Sequence, residues 1–313
     1  MSLWTSYLPR MPRSHWEGWF LIAIGDGAGE VRWTKTTIFR ARRQTPLAAV
    51  EGLTAEGQVE TLVGFADHIV TAVTPFKPEE LDAQRGEFAL ALGDALRLRA
   101  RGDTVQADLR GVGLSVTARA WPVDRLGWAA LPPALHYFGM HGPVEATVDA
   151  GGRRSELRGL GVVEHAWGAS LPFNVARLVP GRWHWDVLRF GGEPDESPAS
   201  AAGLWLTLPG AGMCGVRGFA RFPGGPFLTG RPKAIAYLHE EATDGRRFPT
   251  RWRACIATPA GRLDYEAQST TPLSPSAPGG GFFGFAFTGT FHPTSGSPRD
   301  VRGTGFTECG GPG

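Results

Sequence analysis

Hydrophobic and polar residues alternate with a period near two along most of the chain, which is the pattern of half-buried β-strands. The alternation is clearest in segments 30–41, 104–111, 114–120, 251–257 and 262–268. Turn signals rich in Gly, Asp and Arg separate such segments, for example GDGAGE at 25–30 and TDGRR at 243–247. Many short strands joined by hairpins predict an all-β sandwich or barrel. One segment differs, because Lys77–Arg85 has a proline and acidic residues at its start and predicts a short helix.

Two short motifs each occur twice in the same order. The segment Gly159-Leu-Gly-Val-Val-Glu-His is echoed by Gly303-Thr-Gly-Phe-Thr-Glu-Cys, and His15-Trp16-Glu17 is echoed by His184-Trp185-Asp186. The His-Trp-acid motif comes early in each half of the chain, and the Gly-x-Gly-x-x-Glu motif closes it. This order predicts two similar β domains, 1–169 and 170–313. Segment 191–202, rich in Gly, Pro, Ser and Ala, is then predicted to be a long loop within the second domain.

Composition removes several classes of function. The net charge is +2 over 313 residues, and the short arginine clusters lie beside turn signals without an aromatic RNA-binding motif, so no nucleic-acid partner is expected. Three unpaired cysteines do not indicate a disulfide framework or a zinc ribbon. The first residues contain no apolar signal-peptide core, and no apolar run is long enough to span a membrane. These features predict a cytoplasmic protein without an integral membrane segment.

The segment GLGVVEHAWG at 159–168 carries the most chemistry. On a strand, His165 and Trp167 share one face and Glu164 lies on the other. In Trp183-His-Trp-Asp186, the two tryptophans share one face and His184 and Asp186 share the other. A cavity wall with an imidazole or a carboxyl group beside an indole suits reactions of apolar, unsaturated molecules, because it combines a proton donor with a π surface for developing positive charge.

A purely structural interpretation of these residues remains open. Tryptophan fills protein cores well, and buried His or Glu side chains that bind backbone groups are common in β-barrels. A structural role is favoured for Glu164 because Glu308 stands at the same place in the second half. Both roles remain open for His165, whose counterpart is Cys309. A zinc site at His136 and His141 is not expected, since residues five apart on a strand face opposite ways.

The His-x-Trp-Gly of HAWG, preceded by a Gly-x-Gly strand, resembles the His-Asn-Trp-Gly signature of the carotenoid hydratase (hydroxyneurosporene synthase) and AttH-like family. The stretches HWEGWFLIAIGDGAGEVRWTKTTIF and GTGFTE are similar to the opening hairpin and the closing strand of that family. The resemblance implies two consecutive lipocalin-like β-barrel domains with a site for an apolar ligand. It also implies acid-catalysed hydration of isoprenoid double bonds, or pericyclase activity on polyenes as in relatives of the family. Ala166 replaces the Asn of the signature, so this chain lacks the amide that the family carries there.

The sequence and the resemblance together predict a hydratase or cyclase that binds a hydrophobic, unsaturated small molecule without a cofactor or metal. The expected catalytic residues are His165, Asp186 and Glu164, with Asp186 or His165 as the proton donor. The residues expected to contact the substrate are Trp167, Trp183, Trp185, His184 and Tyr137. The alternatives are a lipocalin-like carrier that performs no reaction and a pair of barrels filled by their own side chains. Peripheral membrane contact and the choice between a monomer and a homodimer stay open.

Overall fold

The chain folds almost entirely into β-strands. A computed structural model describes residues 16–27, 29–41, 57–83, 88–121, 123–130, 135–168, 182–190, 199–208, 212–222, 225–243, 245–276 and 280–310. The chain forms two compact units, one built on strands β1–β12 and the other on strands β13–β21. The predicted domain boundary between residues 169 and 170 lies outside the described residues. In the part of the chain described, no helix has the length and apolar character needed to cross a membrane.

The first unit is one antiparallel sheet of twelve strands. Its strands are β1 Trp16–Gly25, β2 Val31–Ala41, β3 Gly57–Phe65, β4 Ile69–Phe76, β5 Asp82–Ala83, β6 Ala89–Leu92, β7 Leu96–Arg101, β8 Thr104–Gly111, β9 Leu114–Ala120, β10 Asp124–Ala130, β11 Leu135–Ala150 and β12 Arg153–Gly168. They are ordered β4-β3-β2-β1-β12-β11-β9-β8-β7-β6-β5, with β10 paired to β11. The sheet curls so that β4 comes into contact with β8 and β9.

The concave face of this sheet carries a large apolar core. Trp19, Leu21 and Ala23 of β1 belong to this core, and we call the side of the sheet to which they point the inner face. A smaller apolar cluster around Trp16 and Phe39 lies on the outer face. Both faces of β1 are therefore buried, which explains why its sequence WEGWFLIAIG is almost continuously apolar.

The second unit is a closed barrel. Its strands are β13 Trp183–Phe190, β14 Ser200–Leu208, β15 Gly212–Arg221, β16 Phe227–Thr243, β17 Arg246–Thr258, β18 Gly261–Ser269, β19 Ser274–Ser276, β20 Gly280–Pro293 and β21 Arg299–Gly310. Each strand pairs with the next one along the ring from β13 to β18, then β20 and β21, and β21 pairs back with β13. The short β19 pairs only with β20. Closure of the ring leaves its eight strands without a free edge.

Both Gly-x-Gly motifs have the same structural role. Each begins the half of a closing strand that pairs with the first strand of its unit, β12 with β1 and β21 with β13. A Cβ atom on Gly159 would collide with the backbone carbonyl oxygen of Ile24, and one on Gly303 would collide with that of Arg189. The first glycine of each motif is therefore explained by close approach of neighbouring backbones, whereas a Cβ atom on Gly161 or Gly305 would meet the side chain of Val144 or Phe285.

Two predictions of local structure are wrong. The expected helix at Lys77–Arg85 is a single 3-10 turn at Pro78–Glu80 followed by β5. No residue of that turn is buried, so a longer helix would have no apolar face to pack against the core. The expected loop at 191–202 ends earlier than predicted, because Ser200–Ala202 belong to β14, where Ala201 and Ala202 are fully buried in the barrel wall. Residues 191–198 lie outside the described part.

Candidate functional site

His165 and Trp167 lie together on the inner face of the first unit, as the alternation on β12 predicts. The His165 ring is completely buried and stacks almost parallel on the Trp19 indole, with 4.9 Å between centroids. The Trp167 ring lies 4.6 Å from the His165 ring, tilted by 31°. Trp167 in turn stacks on His136 at 5.4 Å. The four rings form a continuous aromatic stack in which His165 is enclosed.

A buried ion pair adjoins this stack. Arg40 Nε donates to Glu17 Oε1 at 2.7 Å, and a terminal nitrogen of the same guanidinium makes a second, shorter contact. His165 Nε2 is 3.4 Å from the other carboxylate oxygen of Glu17. Because the arginine already compensates the buried carboxylate, the imidazole is a secondary partner of that acid.

Glu164 and Tyr137 lie on the opposite side of the same sheet. The Tyr137 hydroxyl donates to Glu164 Oε1 at 2.6 Å. The directly paired residues of β1 and β12 show that Glu164 is opposite Phe20, whereas His165 is opposite Trp19. The structure therefore does not bring Glu164 and Tyr137 together with His165 and Trp167.

His184 and Asp186 point into the barrel of the second unit. Both side chains are fully buried, and they share their face of β13 with Leu188, which belongs to the barrel core. Trp183 and Trp185 lie on the other face of β13, as predicted. The two tryptophans proposed to contact a substrate thus face away from the two polar residues proposed beside them.

Three donors converge on the Asp186 carboxylate. Tyr265 O–H and Trp252 Nε1–H donate to Oδ2 at 2.6 and 2.9 Å, and His184 Nε2 is 2.8 Å from Oδ1. Since an ionised carboxylate only accepts hydrogen bonds, the hydrogen of His184 is placed on Nε2. Burial and the adjacent Asp186 charge raise the pKa of Tyr265 well above its usual value, which keeps it a donor. Asp186 therefore accepts three hydrogen bonds in the buried interior of the barrel.

The second ring nitrogen of His184 faces Tyr237. His184 Nδ1 lies 3.3 Å from the Tyr237 hydroxyl oxygen. The rings of Tyr237, Trp252 and Trp205 surround the imidazole, with centroids 5.2 to 5.8 Å away. Tyr237 is only partly buried, so a chain of polar contacts runs from a partly exposed phenol to a fully buried carboxylate.

Charged residues flank the outer end of this chain. The guanidinium carbon of Arg182 lies 5.5 Å from the centroid of the Tyr237 ring, and Arg182 forms an ion pair with Glu240. The side chains of Arg182 and Glu240 are 33% and 21% exposed. Burial, together with the negative charge of Asp186, raises the pKa of Tyr237 far above its usual value. Tyr237 is therefore a neutral hydrogen-bond donor over the whole physiological pH range.

Sequence reasoning missed Tyr237, Tyr265 and Trp252 in the second unit and Glu17 with Arg40 in the first. One signal was present for the tyrosines. The chain contains only 4 tyrosines against 18 phenylalanines, and all three described tyrosines donate to, or contact, a buried acid or imidazole. In a chain that uses phenylalanine for packing, each tyrosine hydroxyl was a candidate polar contact.

His136 and His141 face opposite sides of β11, as the spacing predicts. His136 joins the inner-face ring stack, whereas His141 is opposite Val162 and fully buried on the other side. Burial lowers the pKa of His141 to about 3. Among the described residues there is no group of three or more His, Cys, Asp or Glu side chains arranged to hold a metal ion.

Solved structures with the same fold exist at low sequence identity. A candidate AttH protein from Nitrosomonas europaea is 12% identical, with a TM-score of 0.64, and the match covers 99% of this chain and 97% of that protein. Kievitone hydratase from Nectria haematococca is 12% identical at a TM-score of 0.59, covering 97% and 90% of the two chains. CghA, solved with Sch210972, is 12% identical at a TM-score of 0.62, covering 95% and 88%.

No protein-family model and no curated protein sequence matches the chain. The structural matches nevertheless extend over nearly the whole length of both units. The lipocalin-like, AttH-like fold that the short motifs predicted is therefore confirmed.

Proposed function

We propose that this protein is an enzyme that hydrates or cyclises an apolar, unsaturated small molecule, and that its proton relay is Tyr237–His184–Asp186 in the second unit. One observation carries the proposal: an unbroken series of hydrogen-bond contacts links a partly exposed phenol to a buried carboxylate through a buried imidazole. The fold shared with kievitone hydratase supports the reaction class. The structure of CghA with Sch210972 supports a ligand-binding role for the fold.

The contacts of Asp186 suggest a role different from the expected proton donor. Both oxygens of the fully buried carboxylate already accept from Tyr265, Trp252 and His184, so Asp186 does not itself face a substrate. It fixes the imidazole in one tautomer and stabilises the imidazolium that forms during proton transfer, as the acid does in an Asp-His pair. Asp186 is thus a positioning residue, and Tyr237 is the group that meets the substrate.

Each proton that moves through the relay is accounted for. With His184 protonated on both nitrogens, Nδ1–H donates to the Tyr237 oxygen, and the Tyr237 O–H is free to donate to the substrate. As the phenol proton moves to the substrate, the Nδ1 proton moves to the phenol oxygen, so Tyr237 stays neutral. In a hydration, water then bonds to the activated carbon and releases one proton, which returns through Tyr237 to His184. In a cyclisation, the same O–H acts only as a hydrogen-bond donor.

His165 is better explained as part of the core of the first unit. Its ring is enclosed between Trp19 and Trp167, and its acid partner is already paired with Arg40. The proposal therefore gives His165 and Trp167 a packing role and locates the chemistry in the second unit.

The first test is native mass spectrometry of protein purified from its own host, followed by extraction of any bound compound. We expect an apolar, unsaturated molecule and slow conversion of it when it is added back. His184→Gln and Tyr237→Phe should lower the conversion rate about 10²-fold or more, the usual contribution of a general acid or base. His239→Gln is the matched control, because His239 is exposed on the same barrel.

Three results would count against the proposal. A compound that binds but is never converted indicates a carrier. Conversion that survives both relay substitutions places the chemistry elsewhere. Protein that holds no compound and takes up no apolar probe indicates barrels filled by their own side chains. Tryptophan fluorescence and thermal unfolding of each variant check that the fold is retained.

A further inference from the structure

The partly exposed end of the relay offers two hydrogen-bond donors of different kinds. The Tyr237 hydroxyl is neutral, and the Arg182 guanidinium is positively charged and lies over the same ring. Glu240 occupies part of the guanidinium, but an arginine has five N–H donors, so others remain for a ligand. A neutral and a cationic donor side by side form a site for an oxygen atom that carries or develops negative charge.

The chemistry of a phenol points in the same direction. An isolated carbon–carbon double bond is protonated only by an acid far stronger than a phenol, and burial makes Tyr237 a weaker acid still. A carbonyl conjugated to the double bond removes this difficulty, since a hydrogen bond to its oxygen polarises the whole conjugated system. Water can then bond to the β-carbon while the π electrons move to the oxygen. The added water loses one proton, and the enolate so formed takes one proton at the α-carbon. The sum is addition of one water molecule across the double bond.

We infer that the substrate carries a carbonyl or enol oxygen conjugated to its double bonds, and that this oxygen binds the Tyr237 hydroxyl and the Arg182 guanidinium. The inference rests on the proposed function for the identity of the site and narrows its substrate class. A plain hydrocarbon polyene or isoprenoid is then a poor ligand, although it is equally apolar.

Binding of two matched probes tests the inference. trans-Chalcone carries an enone, and (E)-1,3-diphenylpropene has the same skeleton with CH₂ in place of the carbonyl. Quenching of tryptophan fluorescence in the full-length protein gives both dissociation constants, and the intact mass confirms that chalcone has not reacted with a cysteine. We expect chalcone to bind about 3- to 10-fold more tightly for each hydrogen bond that its oxygen gains.

Substitutions assign this preference to the two donors. Tyr237→Phe and Arg182→Met should each reduce the chalcone preference and leave the affinity for 1,3-diphenylpropene unchanged, which also shows that the variants are folded. Arg251→Met is the control, because Arg251 is an exposed arginine paired with Glu266 on the same barrel. Equal binding of the two probes, absence of binding by both, or a preference that survives both substitutions overturns the inference.

The inference and the proposed function can fail separately. If the compound extracted from the host has no conjugated oxygen but is converted in a His184-dependent way, the proposed function stands and the inference is overturned. If the carbonyl preference depends on Tyr237 and Arg182 but the relay converts nothing, the substrate-class inference survives as a binding property and the enzymatic proposal fails.

Discussion

Both units bury an imidazole at the equivalent residue pair between their first and closing strands, but on different strands of that pair. Aligned by their Gly-x-Gly motifs, the closing strands place Cys309 of β21 where β12 has His165. The residues directly opposite on the first strands are His184 and Trp19. The first unit therefore pairs an indole with a histidine on its closing strand, whereas the second pairs a histidine on its opening strand with a cysteine. Burial raises the pKa of Cys309, which stays a neutral thiol beside the imidazole.

This exchange changes what the imidazole can do. In the first unit its acid neighbour, Glu17, is held by Arg40, and its ring is enclosed by two indoles. In the second unit its acid neighbour, Asp186, has only neutral donors besides the imidazole, and its other nitrogen faces a partly exposed phenol. Glu17, which is compensated by Arg40, has a packing role. Asp186 contacts a histidine that also contacts Tyr237, and this arrangement is suited to moving a proton.

The substitution with the largest expected effect on this contrast removes Arg40 from the first unit. Arg40→Ala leaves the fully buried Glu17 carboxylate without its cation and should destabilise that unit by about 3–5 kcal/mol. Hydrogen exchange in β1 and β12 measures the loss separately from the second unit. The double variant Glu17→Gln with Arg40→Met should recover most of the stability, because no unpaired charge stays buried. If the double variant exchanges as fast as Arg40→Ala, the ion pair does more than compensate charge.

The residues of this contrast differ in how far the sequence predicted them. Period-two alternation placed His165 with Trp167 and His184 with Asp186 on the correct faces, because adjacent strand residues point opposite ways. The scarcity of tyrosine marks Tyr237 as a candidate polar contact, but its partner could not be predicted. Tyr237 is 53 residues from His184 along the chain, and β16 shifts its register against β17 beside Tyr237.

The His-Trp-acid echo shows how a sequence repeat can mislead. The echo matches Glu17 with Asp186. In the structure, Gly25 pairs with Gly159 and Phe190 pairs with Gly303, so the repeated glycines make Gly25 and Phe190 equivalent. That register puts Arg182 in the place of Glu17 and Leu21 in the place of Asp186. The Gly-x-Gly echo is structurally equivalent in the two units, and its first glycine reflects a backbone requirement. The His-Trp-acid echo is displaced by four residues, or two strand periods, and has no common role.

A smaller effect separates the two tyrosines that donate to acids. Tyr265→Phe removes a donor from the fully buried Asp186 carboxylate and should cost about 1.5–3 kcal/mol, the range for hydrogen bonds to charged groups. Tyr137→Phe removes a donor from the buried Glu164 and should cost less, because Tyr137 is itself half-buried and water can replace its hydroxyl. Hydrogen exchange in β18 and in β11 gives the two values. Equal losses of stability in the two variants would show that Asp186 depends on its tyrosine donor no more than Glu164 does.

The smallest effect is a pH dependence confined to the first unit. His141 is buried and its pKa is about 3 when folded, against 6.5 for the free side chain. The unfolded state therefore binds the extra proton first, and His141 favours folding above pH 6.5 and loses this contribution as the pH falls towards 3. The slope is about 1.4 kcal/mol per pH unit within this window. Comparing exchange of β11 at pH 6.5 and pH 5 in wild type and His141→Gln isolates this contribution, because glutamine does not titrate. An unchanged slope in the variant would mean that other groups of the first unit cause its acid sensitivity, and that the buried imidazole is protonated or exposed before unfolding.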